Sequence, residues 1–352
     1  MSFGKVTTHD ISEQAGIPTR KILDFTSPAN PLGISKKVKT ELRKHLKYLS
    51  SPPDPQCRNL RHHLGRHHGI DPSNIICTPS FTAPLIKLGL QMHFEGVLVP
   101  ASHSRLFKET SIACSIRKCT KYEYKKNLNG KYSLNLDKVL AGLKPRQLVL
   151  VPNPDIITGQ LYPEKQLVEI LKAAEEKGCV VVMDESFIDY ADKDVSLYKF
   201  ESSSLIVFRS MSAFYPLPGL LLGYCIYPPA LAEVFKEPEE LMLVNSLAQR
   251  AGIIALKDRA FRDRTFSFIK TEKAFLEKCF RRLGVRFFPS STNTYLLEHE
   301  KAQEIIKILT GKGVLLDSLK DIAGLDEQSF GLSIKTHREN AVLVREIKKL
   351  IV

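Results

Sequence analysis

Short runs of consecutive apolar residues alternate along the chain with stretches in which apolar residues recur every three or four positions. Gly96-Val97-Leu98-Val99-Pro100, Leu148-Val149-Leu150-Val151, Val180-Val181-Val182-Met183 and Leu205-Ile206-Val207-Phe208 have the length and β-branched content of strands, as does 220–226. Strands without polar alternation are covered on both faces, which predicts a parallel sheet flanked by helices. Pro163 opens one such helix as a first-turn proline. Leu167, Ile170, Leu171 and Ala174 form its inner stripe, and Gly178 ends it. Repeated strand–helix–strand units imply right-handed crossovers and a doubly wound α/β domain.

Beyond residue 240 the pattern changes. One long helical stretch, 241–283, precedes strands at 285–288, 294–297, 313–316 and 330–334. A helix lies at 302–310, and a terminal helix carries Val342, Val344, Ile347, Leu350 and Ile351. The expected organisation is a large α/β domain over 46–240 and a smaller α+β domain over 241–352. An N-terminal segment, 1–45, packs with the smaller domain. A length of 352 residues suits two cores better than one.

Composition narrows the class. No apolar run approaches the roughly 18 residues of a membrane span, and the first residues, Met1-Ser2-Phe3-Gly4-Lys5, hold no apolar signal core. The expectation is a cytoplasmic protein with no membrane partner. The seven cysteines, Cys57, Cys77, Cys114, Cys119, Cys179, Cys225 and Cys279, are odd in number and lack CxxC spacing. They read as reduced, mostly buried thiols. The net charge of +13 raises the question of an anionic metabolite or nucleic acid. The cations lie on amphipathic segments, however. Lys36, Lys37, Lys39, Arg43, Lys44 and Lys47 share one helix, and Arg117, Lys118, Lys121, Lys125 and Lys126 another region. No nucleic-acid-reading element accompanies them, so they read as solvated faces.

In an open α/β sheet, ligands bind beyond the carboxyl ends of the strands. Asp184 follows four buried apolar residues at such an end, where it either caps the next turn or meets a ligand cation. Asp184, Glu185 and Asp189 as paired acid–base carboxylates is the weaker reading. His63 and His67 lie four apart in Arg61-His62-His63-Leu64-Gly65-Arg66-His67-His68, so one helix face offers two imidazoles. No third ligand sits near them in sequence. A solvated basic helix is the simpler reading, a metal site or an anion patch the sharper ones.

In order and spacing, several segments resemble the fold-type I pyridoxal-phosphate (PLP) enzymes. Within these the chain is most similar to histidinol-phosphate aminotransferases and the threonine-phosphate decarboxylases of cobalamin biosynthesis. The segments are His9-Asp10-Ile11, Asn30-Pro31-Leu32-Gly33, Asn153-Pro154 with Thr158-Gly159, Asp184-Glu185-Ser186-Phe187, and Arg209-Ser210-Met211-Ser212-Ala213-Phe214-Tyr215 running to Gly219-Leu220. The resemblance covers nearly the whole chain. It implies the aspartate aminotransferase-like fold, a homodimer, and PLP as cofactor. It also implies roles for individual residues. Asp184 matches the aspartate at the ring nitrogen, His103 the residue stacked on the ring, and Ser210 and Ser212 the hydroxyls at the phosphate. Asn153 lies in the loop beside the cofactor.

Other positions depart from the family. The Schiff-base lysine is Ala213, which forms no imine. The following arginine is Leu221, the ring-O3′ asparagine Ile156, the O3′ tyrosine Phe187, the partner-reaching tyrosine Pro52, and the carboxylate-binding arginine Gly331. The phosphate turn reads Thr78-Pro79-Ser80-Phe81-Thr82-Ala83-Pro84, with two prolines that donate no backbone hydrogen bond. A single lysine-to-alanine exchange suits an engineered substrate trap, but it leaves Leu221, Ile156, Pro52 and Gly331 unexplained. Lys199 precedes the 205–208 strand, at the wrong end to replace the lysine. The resemblance therefore implies a degenerate member that is non-catalytic or repurposed for binding, with an anionic small molecule as a candidate ligand. One alternative is an active aminotransferase or decarboxylase on a phosphorylated amino acid, holding PLP without a covalent bond. Another is a partner- or nucleic-acid-binding module that uses the basic surface.

Overall fold

The computed structural model describes residues 7–103, 116, 118–127, 130–191, 195–236 and 240–351. Cys114, Arg117 and Ser104, next to His103, lie outside these residues.

A seven-stranded sheet forms the larger layer. Its strands are β2 (Ile75–Thr78), β3 (Gly96–Pro100), β4 (Cys119–Tyr122), β7 (Gln147–Pro152), β8 (Val180–Asp184), β9 (Leu205–Ser210) and β10 (Gly223–Ile226). Their order is β2-β10-β9-β8-β7-β3-β4. β10 runs antiparallel to both neighbours, and the other pairings are parallel. Every residue of β3, β7 and β8 is buried, as continuous apolar strands require. The helix Glu164–Glu176 buries Leu167, Ile170, Leu171 and Ala174. Pro163 stands at its N-cap, one residue before the first turn where the sequence placed it.

A four-stranded antiparallel sheet, β11 (Arg286–Phe287), β12 (Thr294–Glu298), β15 (Ser329–Ser333) and β14 (Asp317–Ser318), forms the second layer in that order. Near the N-terminus β1 (Leu23–Asp24) pairs in parallel with β13 (Val314–Leu315). A hairpin of β5 (Tyr124–Lys126) and β6 (Tyr132–Leu134) completes the strands described.

The long helix expected over 241–283 is two helices, Ser246–Lys257 and Arg259–Leu283. The break falls at Asp258, whose backbone leaves helical geometry (φ −86°, ψ 69°) and whose carboxylate meets Lys37 at 3.1 Å. The apolar period continues across the break, so periodicity alone did not show it. The strand expected over 220–226 is shorter. Pro218–Leu220 forms a 3-10 turn, and Leu221 stands in the left-handed region (φ 53°) before β10 begins. None of the helices described is long and apolar enough to cross a membrane.

Candidate functional site

The carboxyl ends of β7, β8 and β9 bring together most of the residues singled out in the sequence. Asp184 ends β8 and is buried. Its Oδ1 accepts from the Ser186 amide at 3.0 Å and from the Ser186 hydroxyl at 2.5 Å. This is the local capping geometry that short polar side chains adopt at a strand-to-turn junction. Its Oδ2 lies 3.3 Å from Nε2 of His103. A carboxylate only accepts, so Nε2 carries the proton it faces. Nδ1 lies 2.9 Å from the Ser102 hydroxyl. The local and the long-range roles of Asp184 therefore coexist.

Asn153 closes the next position. Its amide donates to the Asp184 carbonyl at 2.9 Å, and its Oδ1 accepts from the Tyr162 amide at 3.0 Å. Its Nδ2 is buried with no protein partner among the described residues. Ser210 ends β9, and its hydroxyl accepts from the Ser212 amide at 3.1 Å. Ala213 is buried, and its carbonyl accepts from the Asn30 amide at 2.9 Å and the Tyr190 hydroxyl at 3.2 Å. These bonds fasten Ala213 to the N-terminal segment.

The turn after β2 is also internally bonded. Ser80 Oγ accepts from the Ala83 amide at 3.2 Å. Pro84 has no N–H, so the first turn of the helix Thr82–Gln91 offers few free donors of the kind that bind phosphate. Leu221 is exposed. Ile156, Ile157 and Gly331 line a cavity of about 20 Å³ together with Thr26, Thr294 and Asp317. A single water needs roughly 10–15 Å³ of such space, so this cavity has the scale of one or two waters. A Cβ on Gly331 would meet Asp317 Cβ at 3.3 Å.

Three features escaped the sequence reading. Asp155 is fully buried. Its Oδ1 accepts from the Thr158 amide and hydroxyl at 2.7 and 2.8 Å, and its Oδ2 accepts from Tyr124 at 2.8 Å. Burial pushes its carboxyl above the usual range. The signal was an Asp followed three residues later by Thr, a turn pattern read only as part of the loop. Second, Arg209 Nε and Nη2 reach Glu185 Oε2 at 3.0 and 2.9 Å, and Arg209 Nη1 lies 3.9 Å from Asp189 Oδ1. Glu185 and Asp189 thus belong to a structural network. Third, Lys335 donates to the Ser27 carbonyl at 2.7 Å, and burial holds its ammonium below the usual lysine range.

The remaining candidates lie apart from this site. Lys199 lines a separate cavity with Asn74 and Ile226, before the start of β9. His63 bonds the Asn59 carbonyl on its own helix at 2.9 Å. Among the described residues no group of three His, Cys, Asp or Glu side chains is placed to hold a metal. Cys57, Cys77, Cys179 and Cys225 are buried, Cys119 is exposed, and Cys279 is intermediate.

Known proteins share this fold. The family model for aminotransferase class I and II matches residues 20–347. The chain is 25% identical over 353 residues to a histidinol-phosphate aminotransferase of Methanosarcina mazei, covering 97% of this chain and 92% of that protein. It is 26% identical over 347 residues to a threonine-phosphate decarboxylase of Salmonella typhimurium, covering 96% and 93%. Among solved structures, histidinol-phosphate aminotransferase from Sinorhizobium meliloti, in complex with pyridoxal-5′-phosphate, superposes with a TM-score of 0.85 at 21% identity over 98% of this chain and 95% of that one. The chain therefore belongs to the class I and II aminotransferase family and has its fold.

Proposed function

We propose that this chain is a non-catalytic or repurposed member of the family that does not hold PLP through a lysine. Ala213 carries the reading. It stands where relatives are expected to keep the lysine, and a buried methyl offers no amine. Its neighbours support this. The Ser80–Ala83 bond and Pro84 reduce the donors for a phosphate, and no lysine lines the small cavity beside Ile156 and Gly331. These residues do not fit a covalently held PLP, so no reaction step is assigned to it. The protein would act as a homodimer and a binding protein.

A second reading keeps an active enzyme that holds PLP without a covalent bond. The buried, unpartnered Nδ2 of Asn153 favours it, because an unmet donor costs about 1–3 kcal/mol unless a ligand or water meets it. Asp184, His103, Ser210 and Ser212 would be its contacts, and a phosphorylated amino acid its substrate.

Adding PLP, reducing with borohydride and mapping adducts by peptide mass spectrometry separates covalent from non-covalent binding. Equilibrium dialysis of PLP then separates the two readings. The first expects no stoichiometric adduct and no retained PLP. Retained PLP that leaves no lysine adduct on reduction, and is lost in Asp184→Ala, supports the second. A stoichiometric adduct at a lysine near the site defeats both.

A further inference from the structure

One large cleft shares no lining residue with the Asp184 and Ala213 site. It measures about 740 Å³, within the range of small-molecule sites. Arg66 and His63 of the helix Arg58–His68 form one wall. Lys257, Arg259 and Arg262, at the junction of the helices Ser246–Lys257 and Arg259–Leu283, form the other. Among the described residues none of Arg66, Lys257, Arg259 and Arg262 makes an ion pair with a carboxylate. The carboxylates on the cleft are Asp258, which is engaged by Lys37 at 3.1 Å, and Asp263.

The placement of these cations runs against helix electrostatics. The start of a helix is positive and favours carboxylates, as Asp10 and Glu164 show at two other helices of this chain. Arg259–Leu283 opens instead with Arg259, Ala260, Phe261 and Arg262, and its first turn has no acidic residue. The N-cap is Asp258, whose buried carboxylate is engaged within the chain, so it leaves the two first-turn arginines without a carboxylate partner. Arg262 is also held in place. Its guanidinium lies 5.9 Å from the ring centroid of Phe214 and 5.3 Å from that of Phe266, and Tyr215 lines the same cleft. A guanidinium fork held against two rings is a suitable receptor for phosphate oxygens.

We infer that this cleft binds a small molecule carrying two or more linked phosphates. The ligand bridges Arg66 on one wall to Arg259 and Arg262 on the other. Cations stand on both walls and offer contacts to more than one phosphate, so linked phosphates are preferred over a single one.

The test is calorimetric titration of the full-length protein with inorganic triphosphate, orthophosphate and a single-stranded RNA oligonucleotide. Triphosphate is expected to bind, and to bind more tightly than orthophosphate. Arg259→Glu and Arg66→Ala should each weaken it roughly tenfold or more. Both side chains are exposed. Arg259→Glu changes an exposed side chain, so its Tm should stay within about a degree of the wild type while binding falls. That pairing separates a lost site from a damaged fold. Absence of triphosphate binding overturns the inference. So do unchanged affinity in both variants, equal affinity for orthophosphate, or tighter binding of the RNA through the same two arginines. PLP binding plays no part in these readouts.

Discussion

Nε2 of His103 lies 3.3 Å from Oδ2 of Asp184, although 81 residues separate them in sequence. Both side chains are buried, and Ser102 and Ser186 satisfy their remaining polar atoms. The carboxylate that relatives are expected to turn toward a ligand is here met on both oxygens from within the chain. Asp184→Asn keeps the shape but weakens these charge-assisted bonds. It should cost about 1–3 kcal/mol, measured by denaturant unfolding. A change below about 0.5 kcal/mol would show that the His103 contact contributes nothing.

Glu185 and Arg209 make a second buried pair, with Arg209 Nη2 2.9 Å from Oε2. Burial pushes the Glu185 carboxyl up, and Arg209 opposes that shift. Ser196 donates to both of its oxygens, at 2.7 and 2.6 Å. Glu185→Ala leaves the guanidinium buried without its main partner, at a cost of about 3–5 kcal/mol. Equilibrium unfolding of the variant checks this, and a loss under about 1 kcal/mol would contradict it.

His68 gives a pH dependence. Its Nε2 lies 2.8 Å from the Tyr224 hydroxyl, and the side chain is buried. Burial first, then Arg209, His67 and Lys199, push its imidazole down from 6.5 to about 2. Between those values the unfolded chain takes up a proton that the folded chain refuses. The contribution is therefore complete above pH 6.5 and is lost as pH falls. The loss is about 1.4 kcal/mol per pH unit, or roughly 2 kcal/mol by about pH 5. Unfolding free energies of the wild type and His68→Gln, measured across that window, should diverge by this slope. Parallel curves would contradict a neutral buried His68.

Much of the fold was legible because β3, β7, β8 and β9 are apolar on both faces. β4 was not, because Cys119-Thr120-Lys121-Tyr122 is an edge strand with exposed polar positions. The helix break at Asp258 was missed because the apolar period continues while a tertiary contact from Lys37 holds the turn. Asp184 and Ser210 end their strands, as the sequence reading placed them, and Ser212 follows in the same motif. The partners that decide their state were not legible. The His103–Asp184 and Tyr124–Asp155 contacts join distant segments, and no local period encodes them.

Restoring the lysine alone should not restore the site. Ala213 is buried, with its carbonyl tied to Asn30 and Tyr190. An added lysine must fit a packed interior or bury a charge, so Ala213→Lys should lose about 1–3 kcal/mol of stability. Thermal unfolding measures this. A variant as stable as the wild type that also forms a reducible PLP adduct would mean that one substitution alone separates this chain from its relatives.

The most direct test is peptide mass spectrometry of the wild-type protein after incubation with PLP and borohydride reduction. The absence of lysine function at Ala213 predicts no stoichiometric adduct on any lysine near Asp184. A single, fully occupied phosphopyridoxyl-lysine there would contradict it.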